Sequence, residues 1–99
     1  MKINIASKEV IHFIGIGGIG MSGLAQIMNN MGFTVQGSDI SKNKNIERLV
    51  KLGIKVYLGH QKNNLKKSTM IVVSSAIKKN NSELIEAKTK KIPTIRRRF

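Results

Sequence analysis

Apolar and polar positions follow two different periods along this chain. Val10 to Ile14 is an apolar run interrupted only by His12, which is typical of a buried strand. Beyond a glycine-rich turn, apolar residues recur every three or four positions until Gly32, a pattern that predicts a helix and its end. These residues are Met21, Leu24, Ala25, Met28 and Met31.

The same succession of short apolar runs and helical periods continues to the end of the chain. It predicts further strands over 33–37, 54–58, 70–73 and 92–95, helices over 45–52 and 82–90, and a polar loop or single helical turn over 61–68. We expect Asn80 and Glu83 to form a capping box for the last helix. The alternation predicts an α/β fold: a Rossmann-like parallel sheet of about five strands, order 3-2-1-4-5, flanked by helices. Residues 1–99 are expected to form one domain.

A glycine-rich turn joins the first predicted strand to the first predicted helix. Gly15 permits the tight turn, Gly17 lets the backbone approach an anion, and Gly20 lets the helix pack close to the strand. The N–H groups and positive dipole end of the helix then face that anion. Met21 belongs to the apolar face of the helix, yet it lies close enough to the turn to contact a ligand. The segment predicts a site for a phosphate-bearing ligand.

Polar residues follow the other strands, at the edge of the sheet where ligands of such folds lie. The candidates by position are Ser38 and Asp39, Gly59 and His60, and Ser74, Ser75 and Ala76. Asp39 lies nineteen residues beyond Gly20, near the spacing at which an acidic group meets a ribose hydroxyl.

Each of these candidates also has a purely structural interpretation. Asp39 fits a residue that caps the turn into the next helix, and Ser74 and Ser75 fit groups that satisfy the backbone where a strand ends. Taken alone, His60 is typical of a surface loop. His12 lies inside a strand and is interpreted as a packed structural residue.

The net charge of +13 admits another class of partner. A strongly basic chain has the electrostatic character of nucleic-acid binders, but the lysines are scattered and only four residues are aromatic. We therefore interpret the charge as a solvated basic surface, with Arg96 to Arg98 as a solvated tail, and expect no specific nucleic-acid partner. The chain has no cysteine, two histidines and five acidic residues, so we expect no metal site. The lack of a membrane-spanning or signal-peptide pattern favours a cytoplasmic protein.

Several segments together resemble a known family. The stretch Ile11 to Ala25, with its double glycine and Gly-Met-Ser-Gly-Leu-Ala, is similar to the opening of the UDP-N-acetylmuramate–L-alanine ligases of the Mur ligase family. Further similar segments, in the same order, are Gly37 to Ile40, Gly59 to Gln61, Val72 to Ile77 and Lys91 to Arg97. Sister ligases that recycle a tripeptide onto the same sugar nucleotide are the nearest competitor.

This resemblance implies a Rossmann-like domain that binds the UDP part of UDP-N-acetylmuramate in place of a nicotinamide cofactor. The implied diphosphate contacts are the backbone of Gly17, Gly18, Ile19, Gly20, Met21 and Ser22, and Gly15 is also implied among the UDP-binding residues. The implied uridine surroundings are Ser38, Asp39, His60, Ser74, Ser75 and Ala76. The family reaction belongs to peptidoglycan synthesis and uses ATP and magnesium to activate a carboxylate for attack by L-alanine.

The same resemblance implies that catalysis lies outside these 99 residues. In the family, ATP binds a central domain through a Gly-Lys-Thr/Ser loop, and no Gly-Lys-Ser or Gly-Lys-Thr occurs here. We therefore expect an N-terminal fragment without central and C-terminal domains, with no cofactor of its own and inactive alone. A missing helix would expose apolar sheet and favour weak self-association. The alternatives are an NAD(P)-binding domain of an oxidoreductase and, less well supported, a nucleic-acid-binding module.

Overall fold

The computed structural model describes residues 9–98, so residues 1–8 and Phe99 of the expected single domain lie outside the described part. Within it, strands and helices alternate in the order β1 Val10–Ile14, α1 Ile19–Asn30, β2 Thr34–Asp39, α2 Lys44–Lys51, β3 Lys55–Leu58, a 3₁₀-helix Lys62–Leu65, β4 Met70–Ser74, α3 Ser82–Thr89 and β5 Thr94–Arg97. None of the helices in this range is long and apolar enough to cross a membrane.

The five strands form one parallel sheet with the order β3-β2-β1-β4-β5. This confirms the predicted topology. The central strand β1 pairs with β2 and β4, so that Ile14 lies opposite both Ser38 and Val73. Because all strands are parallel, their carboxyl ends meet at one edge, where the glycine turn and the loops after β2, β3 and β4 also lie.

Two apolar clusters pack on the two faces of the sheet. Side chains of β1 alternate between them, with Ile11 and Phe13 in one cluster and Ile14 in the other, as the period of two in a strand requires. Residues of α1 and α2 cover the first cluster, whereas α3 and the 3₁₀-helix cover the second. The sheet is therefore enclosed between helices, which holds its strand ends in a defined position.

The beginning of α3 differs from the expected capping box. The N-cap is Asn81, whose Oδ1 accepts hydrogen bonds from the backbone nitrogens of Glu83 at 2.9 Å and Leu84 at 3.2 Å. The carboxylate of Glu83 does not return to the cap because it points into the protein interior, where it is fully buried among donors. The prediction of a capping box between Asn80 and Glu83 is thus wrong.

The last strand lies two residues further along the chain than expected. Strand β5 spans Thr94–Arg97, and Pro93 immediately before it accepts a hydrogen bond from the nitrogen of Ile71. Arg96 belongs to this strand, and its Nη1 lies 3.5 Å from the carbonyl oxygen of Ser75 and 3.3 Å from that of Ile77. Pairing with β4 places Arg96 and Arg97 in the sheet, so the interpretation of these two residues as a tail is wrong, although both are exposed to solvent as expected.

Candidate functional site

The glycine turn is anchored to the end of β2. The backbone nitrogens of Gly15 and Ile16 both donate to the carbonyl oxygen of Ser38, at 2.9 and 3.0 Å. Gly15 has φ +88°, a left-handed conformation that side chains with a Cβ avoid, as the predicted tight turn requires. Ile16 is fully buried beside Gly37, which has no Cβ and leaves room for it.

Several N–H groups of the turn already donate hydrogen bonds to acceptors within the protein. The nitrogen of Gly17 donates to Asp39 Oδ2 at 2.8 Å, that of Gly18 to the carbonyl of Gly15 at 3.2 Å, and that of Ser22 to the carbonyl of Gly18 at 2.8 Å. Ile19, Gly20 and Met21 form the first turn of α1. Their N–H groups have no acceptor within the helix, because no helical carbonyl precedes them by four residues.

The beginning of α1 is suited to bind an anion. Its N-cap, Gly18, offers no side-chain hydrogen bond, and the first turn contains no acidic residue. The first-turn N–H groups and the positive end of the helix dipole therefore face the site with no acidic side chain of the helix itself to neutralise them.

Two adjoining cavities lie against this helix end. The larger, of about 450 Å³, is lined by Gly18, Ile19, Gly20, Ser74, Ser75 and Ala76. The smaller, of about 250 Å³, is lined by Gly15, Gly18, Asp39, Ile40, His60, Ser74, Ala76 and Ile77. The structure thus brings together the glycine turn and the residues after β2, β3 and β4, as the sequence predicted.

Both carboxylate oxygens of Asp39 accept hydrogen bonds from the protein backbone. Oδ2 accepts from Gly17, and Oδ1 accepts from the nitrogens of Ile40 at 2.8 Å and Ser41 at 3.4 Å. The structure therefore bears out the interpretation of Asp39 as a turn-capping residue. Contact with a ribose stays a prediction, since Asp39 also lines the smaller cavity.

The loop after β4 is held in a similar way by its own polar groups. Ser74 Oγ accepts from the nitrogen of Ala76 at 3.2 Å, and the nitrogen of Ile77 donates to the carbonyl of Ser74 at 3.0 Å. Arg96 contacts the carbonyls of Ser75 and Ile77 from the neighbouring strand. Ser74 thus satisfies the backbone at the strand end while it also lines both cavities.

Three of the predicted site residues have side chains in the interior. Met21 packs in the core, Ser22 Oγ bonds to the carbonyl of Ile19 at 3.1 Å, and Ser38 is fully buried. The side chains of these three residues line neither cavity. The prediction that they contact a ligand is therefore limited to their backbone atoms.

A buried polar cluster lies directly beneath the smaller cavity, and the sequence did not predict it. The carboxylate of Glu83 receives four hydrogen bonds in the interior. Oε1 lies 2.7 Å from His12 Nε2 and 2.6 Å from Ser38 Oγ, while Oε2 lies 3.0 Å from the nitrogen of Gln61 and 2.7 Å from Asn64 Nδ2. The interpretation of His12 as a packed structural residue is confirmed.

These contacts govern the ionisation of Glu83. Burial raises the pKa of the carboxyl group, but the hydrogen bonds that it accepts from His12, Ser38 and Asn64 outweigh this effect. The net effect holds the pKa of Glu83 below its ordinary value. The surrounding interior therefore stabilises the charged form of the Glu83 carboxylate.

The sequence did contain a signal for this cluster. Glu83 stands beside Leu84 and four residues before Ala87, on the face of α3 that turns to the sheet. His12 stands in the middle of an apolar strand. Polar groups at two positions where the pattern demands apolar ones indicate a partnership in the interior.

The parallel sheet, its strand order and the helices on both of its faces define a Rossmann-like class of domain. Residues 10–98 match the Mur ligase family, catalytic domain. The chain belongs to the Mur ligase family.

Individual relatives agree with this assignment. The chain is 63% identical over 97 residues to the UDP-N-acetylmuramate–L-alanine ligase of Pelagibacter ubique, which covers 98% of this chain and 21% of that protein. It is 58% identical over 87 residues to the ligase of the same name from Rickettsia typhi, covering 88% and 18%. The chain thus spans about a fifth of the length of these relatives.

Solved structures are also similar. The UDP-N-acetylmuramate–alanine ligase of Thermotoga maritima superposes with a TM-score of 0.85 at 34% identity, over 88% of this chain and 20% of that one. The UDP-N-acetylmuramate:L-alanyl-γ-D-glutamyl-meso-diaminopimelate ligase of Neisseria meningitides gives 0.82 at 33% identity, over 89% and 28%. An NADPH-dependent glyoxylate/hydroxypyruvate reductase of Sinorhizobium meliloti gives 0.56 at 18% identity, covering 74% and 21%, and shares the fold alone.

Proposed function

We propose that this chain is the UDP-binding domain of a ligase that adds L-alanine to UDP-N-acetylmuramate during peptidoglycan synthesis. The observation that carries the proposal is the 63% identity to the Pelagibacter ubique ligase, which extends over nearly the whole chain. The match spans 98% of the chain and therefore includes the glycine turn and the strand ends, which supports the same ligand in the same place.

The geometry supports a diphosphate at the beginning of α1. The first-turn N–H groups of Ile19, Gly20 and Met21 would donate to its oxygens from the floor of the larger cavity. A helix dipole stabilises an anion by roughly 0.3–2 kcal/mol, and each hydrogen bond to a charged group adds roughly 1.5–3 kcal/mol. Gly15, Gly17, Gly18 and Ser22 would shape the turn rather than donate, since the known partners of their N–H groups lie within the protein.

The uridine would then occupy the smaller cavity, between Asp39, Ile40 and His60. Ser74, Ser75 and Ala76 would lie between the base and the diphosphate, because Ser74 and Ala76 line both cavities. Ser38 would not contact the ligand itself but would orient His60 through the hydrogen bond between Ser38 Oγ and His60 Nδ1.

Catalysis would require parts of the protein other than these 99 residues. The sequence contains no Gly-Lys-Ser or Gly-Lys-Thr segment for a nucleoside triphosphate. ATP and magnesium would therefore bind a central domain, and this chain alone would bind substrate without forming a product. Its partners would be UDP-N-acetylmuramate and those further domains, in the cytoplasm.

Thermal unfolding of the chain with a panel of nucleotides tests this proposal. The panel is UDP-N-acetylmuramate, UDP, UMP, NAD and NADP. A ligand at a hundred times its dissociation constant adds about 2.7 kcal/mol, and each kcal/mol moves the midpoint of a domain this size by roughly 4–8 °C. We expect a rise of about 10–20 °C with the two uridine diphosphates and a much smaller one with UMP, which lacks the second phosphate.

Other results would contradict the proposal. A rise with NAD or NADP alone would assign the chain to the oxidoreductase alternative, and no rise with any nucleotide would remove the proposed ligand. Binding to duplex DNA that falls steeply with salt would favour the nucleic-acid alternative.

A further inference from the structure

A continuous line of hydrogen bonds joins the interior of the sheet to the smaller cavity. It runs from Glu83 Oε1 to Ser38 Oγ at 2.6 Å, and from Ser38 Oγ to His60 Nδ1 at 2.8 Å. Glu83 and Ser38 are fully buried, whereas the side chain of His60 is 12% exposed and lines the cavity. The line therefore ends on a residue that a ligand can reach.

The direction of each hydrogen bond follows from the donors available. Both oxygens of Glu83 face donors, and its lowered pKa keeps it ionised and acceptor-only. Ser38 has one hydroxyl hydrogen, which goes to Glu83 Oε1. Its oxygen can then only accept from His60, so the hydrogen on the imidazole lies on Nδ1.

The other histidine does not compete for this arrangement. His12 Nε2 donates to Glu83, while its Nδ1 faces Gln36 Nε2 at 2.8 Å. Gln36 Nε2 also lies 2.7 Å from the carbonyl oxygen of Asn64, which identifies that atom as the amide nitrogen, a donor. His12 is thereby held with its hydrogen on Nε2, and the Ser38 hydroxyl has no alternative direction.

We propose that Glu83 is a positioning residue for nucleotide recognition: through Ser38 it holds His60 as the Nδ1–H tautomer, whose Nε2 accepts a hydrogen bond from the ligand. The ligand part rests on the proposed function. Nε2 stands on the opposite edge of the ring from Nδ1, and in this tautomer it carries a lone pair. The matching ligand chemistry is a donor on the nucleoside, either the imide N–H of uracil or a ribose hydroxyl.

Nitrogen-15 NMR of the histidine rings tests the tautomer without any ligand. In the wild-type chain at neutral pH we expect His60 to carry its hydrogen on Nδ1. The variant Ser38→Ala should lose this preference and populate both tautomers. The matched control is Gln36→Ala, which removes a polar group from the same strand and the same cluster but leaves the line from Glu83 to His60 intact.

The NMR result has a clear contrary outcome. A wild-type His60 with its hydrogen on Nε2, or an unchanged tautomer ratio in Ser38→Ala, would overturn the proposal. The wild-type spectrum decides the tautomer even if the Ser38→Ala chain does not fold. A merely structural cluster would change stability in both variants and leave the His60 tautomer alone.

Calorimetric titration with UDP, 3-methyl-uridine diphosphate, 2′-deoxy-UDP and 3′-deoxy-UDP tests the ligand part. Losing one well-placed hydrogen bond weakens binding by roughly two- to tenfold, so Ser38→Ala should bind UDP that much more weakly and Gln36→Ala should not. The analogue that lacks the donor should bind the wild type weakly and be insensitive to Ser38→Ala. This identifies the imide if it is the methylated base, and the ribose if it is a deoxy sugar.

The failures of the two proposals are distinguishable. Absence of any UDP binding, with His60 in the Nδ1–H form, would refute the proposed function but not the positioning by Glu83. Full-strength binding of all three analogues, with UDP itself bound normally, would refute recognition through His60 Nε2.

Discussion

The carboxylate of Asp39 accepts a hydrogen bond of 2.8 Å from the backbone nitrogen of Gly17. Through it the end of β2 holds the glycine turn that follows β1. The acidic residue that the spacing suggested as a ribose ligand thus has a structural task that is already visible in the protein alone.

Replacement of Asp39 by alanine should therefore destabilise the protein without any ligand present. The Gly17 N–H would lose its acceptor, and Ile40 its cap, for a cost of about 1–3 kcal/mol. Urea unfolding at neutral pH measures this loss. Asp39→Asn is the matched control, because its carbonyl oxygen preserves one acceptor and should retain part of the stability. Unchanged unfolding of Asp39→Ala would show that these hydrogen bonds do not stabilise the fold.

The close approach of β2 and the glycine turn makes a second prediction. A Cβ on Gly37 would lie 2.5 Å from Ile16 Cδ1 and 2.8 Å from the carbonyl oxygen of Phe13. Because that oxygen belongs to the backbone and cannot move freely, Gly37→Ala should cost about 1–3 kcal/mol.

The control for this variant is Gly23→Ala, in the interior of α1. A Cβ there meets nothing within 4 Å, and alanine favours the helix by roughly 0.5–1 kcal/mol over glycine. Thermal melts should move in opposite directions for the two variants. Unchanged stability of Gly37→Ala would show that the crowding around Gly37 is relieved in solution.

The third prediction concerns acid stability. Glu83 has a folded-state pKa below its ordinary value, so the unfolded chain takes up its proton first as the pH falls. The stability that this group contributes is complete above its unfolded pKa of about 4.3 and is lost as the pH falls through the lower folded value.

Urea unfolding from pH 7 to pH 3 measures this contribution. Glu83→Gln should be less stable at pH 7, because either orientation of its amide sets an N–H group against buried donors, and its stability should vary less with pH over the acidic range. Glu86→Gln, on the same helix, removes a carboxylate that pairs with Lys90 at the surface, and its pH dependence should match the wild type. Parallel curves for all three proteins would exclude Glu83 as the source.

The fourth prediction separates the backbone of Ile19 from its side chain. Ile19 is the first residue of α1, its side chain is 90% exposed, and Gly18 before it is extended. Proline fits such a position without loss of helix hydrogen bonds, but it removes the N–H that we propose faces the diphosphate.

Ile19→Pro should therefore fold normally and bind UDP about ten- to hundredfold more weakly, the value of one hydrogen bond to a charged group. Ile19→Ala keeps the N–H and should bind nearly as well as the wild type. Calorimetric titration of both variants with UDP checks this. Equal affinity in the two would place the diphosphate elsewhere, and equal weakening would assign the effect to the side chain.

The strand order and the gathering of the candidate residues at one edge of the sheet followed from local patterns. An apolar run, a glycine turn and a helical period were enough to place β1 and α1, because burial on both faces of a parallel strand leaves few other arrangements. Element ends were less certain. The shift of β5 to Thr94–Arg97 comes from its register with β4, which no local pattern in the sequence reports.

The sequence by itself determined the class of fold, the helix that begins at the glycine turn and the residues that lie together around it, since these depend on periodicity and on the backbone freedom of glycine. Tertiary structure alone decided which of those side chains are buried or already hydrogen-bonded within the protein. Asp39 accepts a hydrogen bond from the glycine turn, and Ser38 is buried. Glu83 does not cap α3 as expected but accepts hydrogen bonds in the interior. The physical reason is that a hydrogen-bond partner distant in sequence competes with the local one, and only the packed sheet brings it within reach.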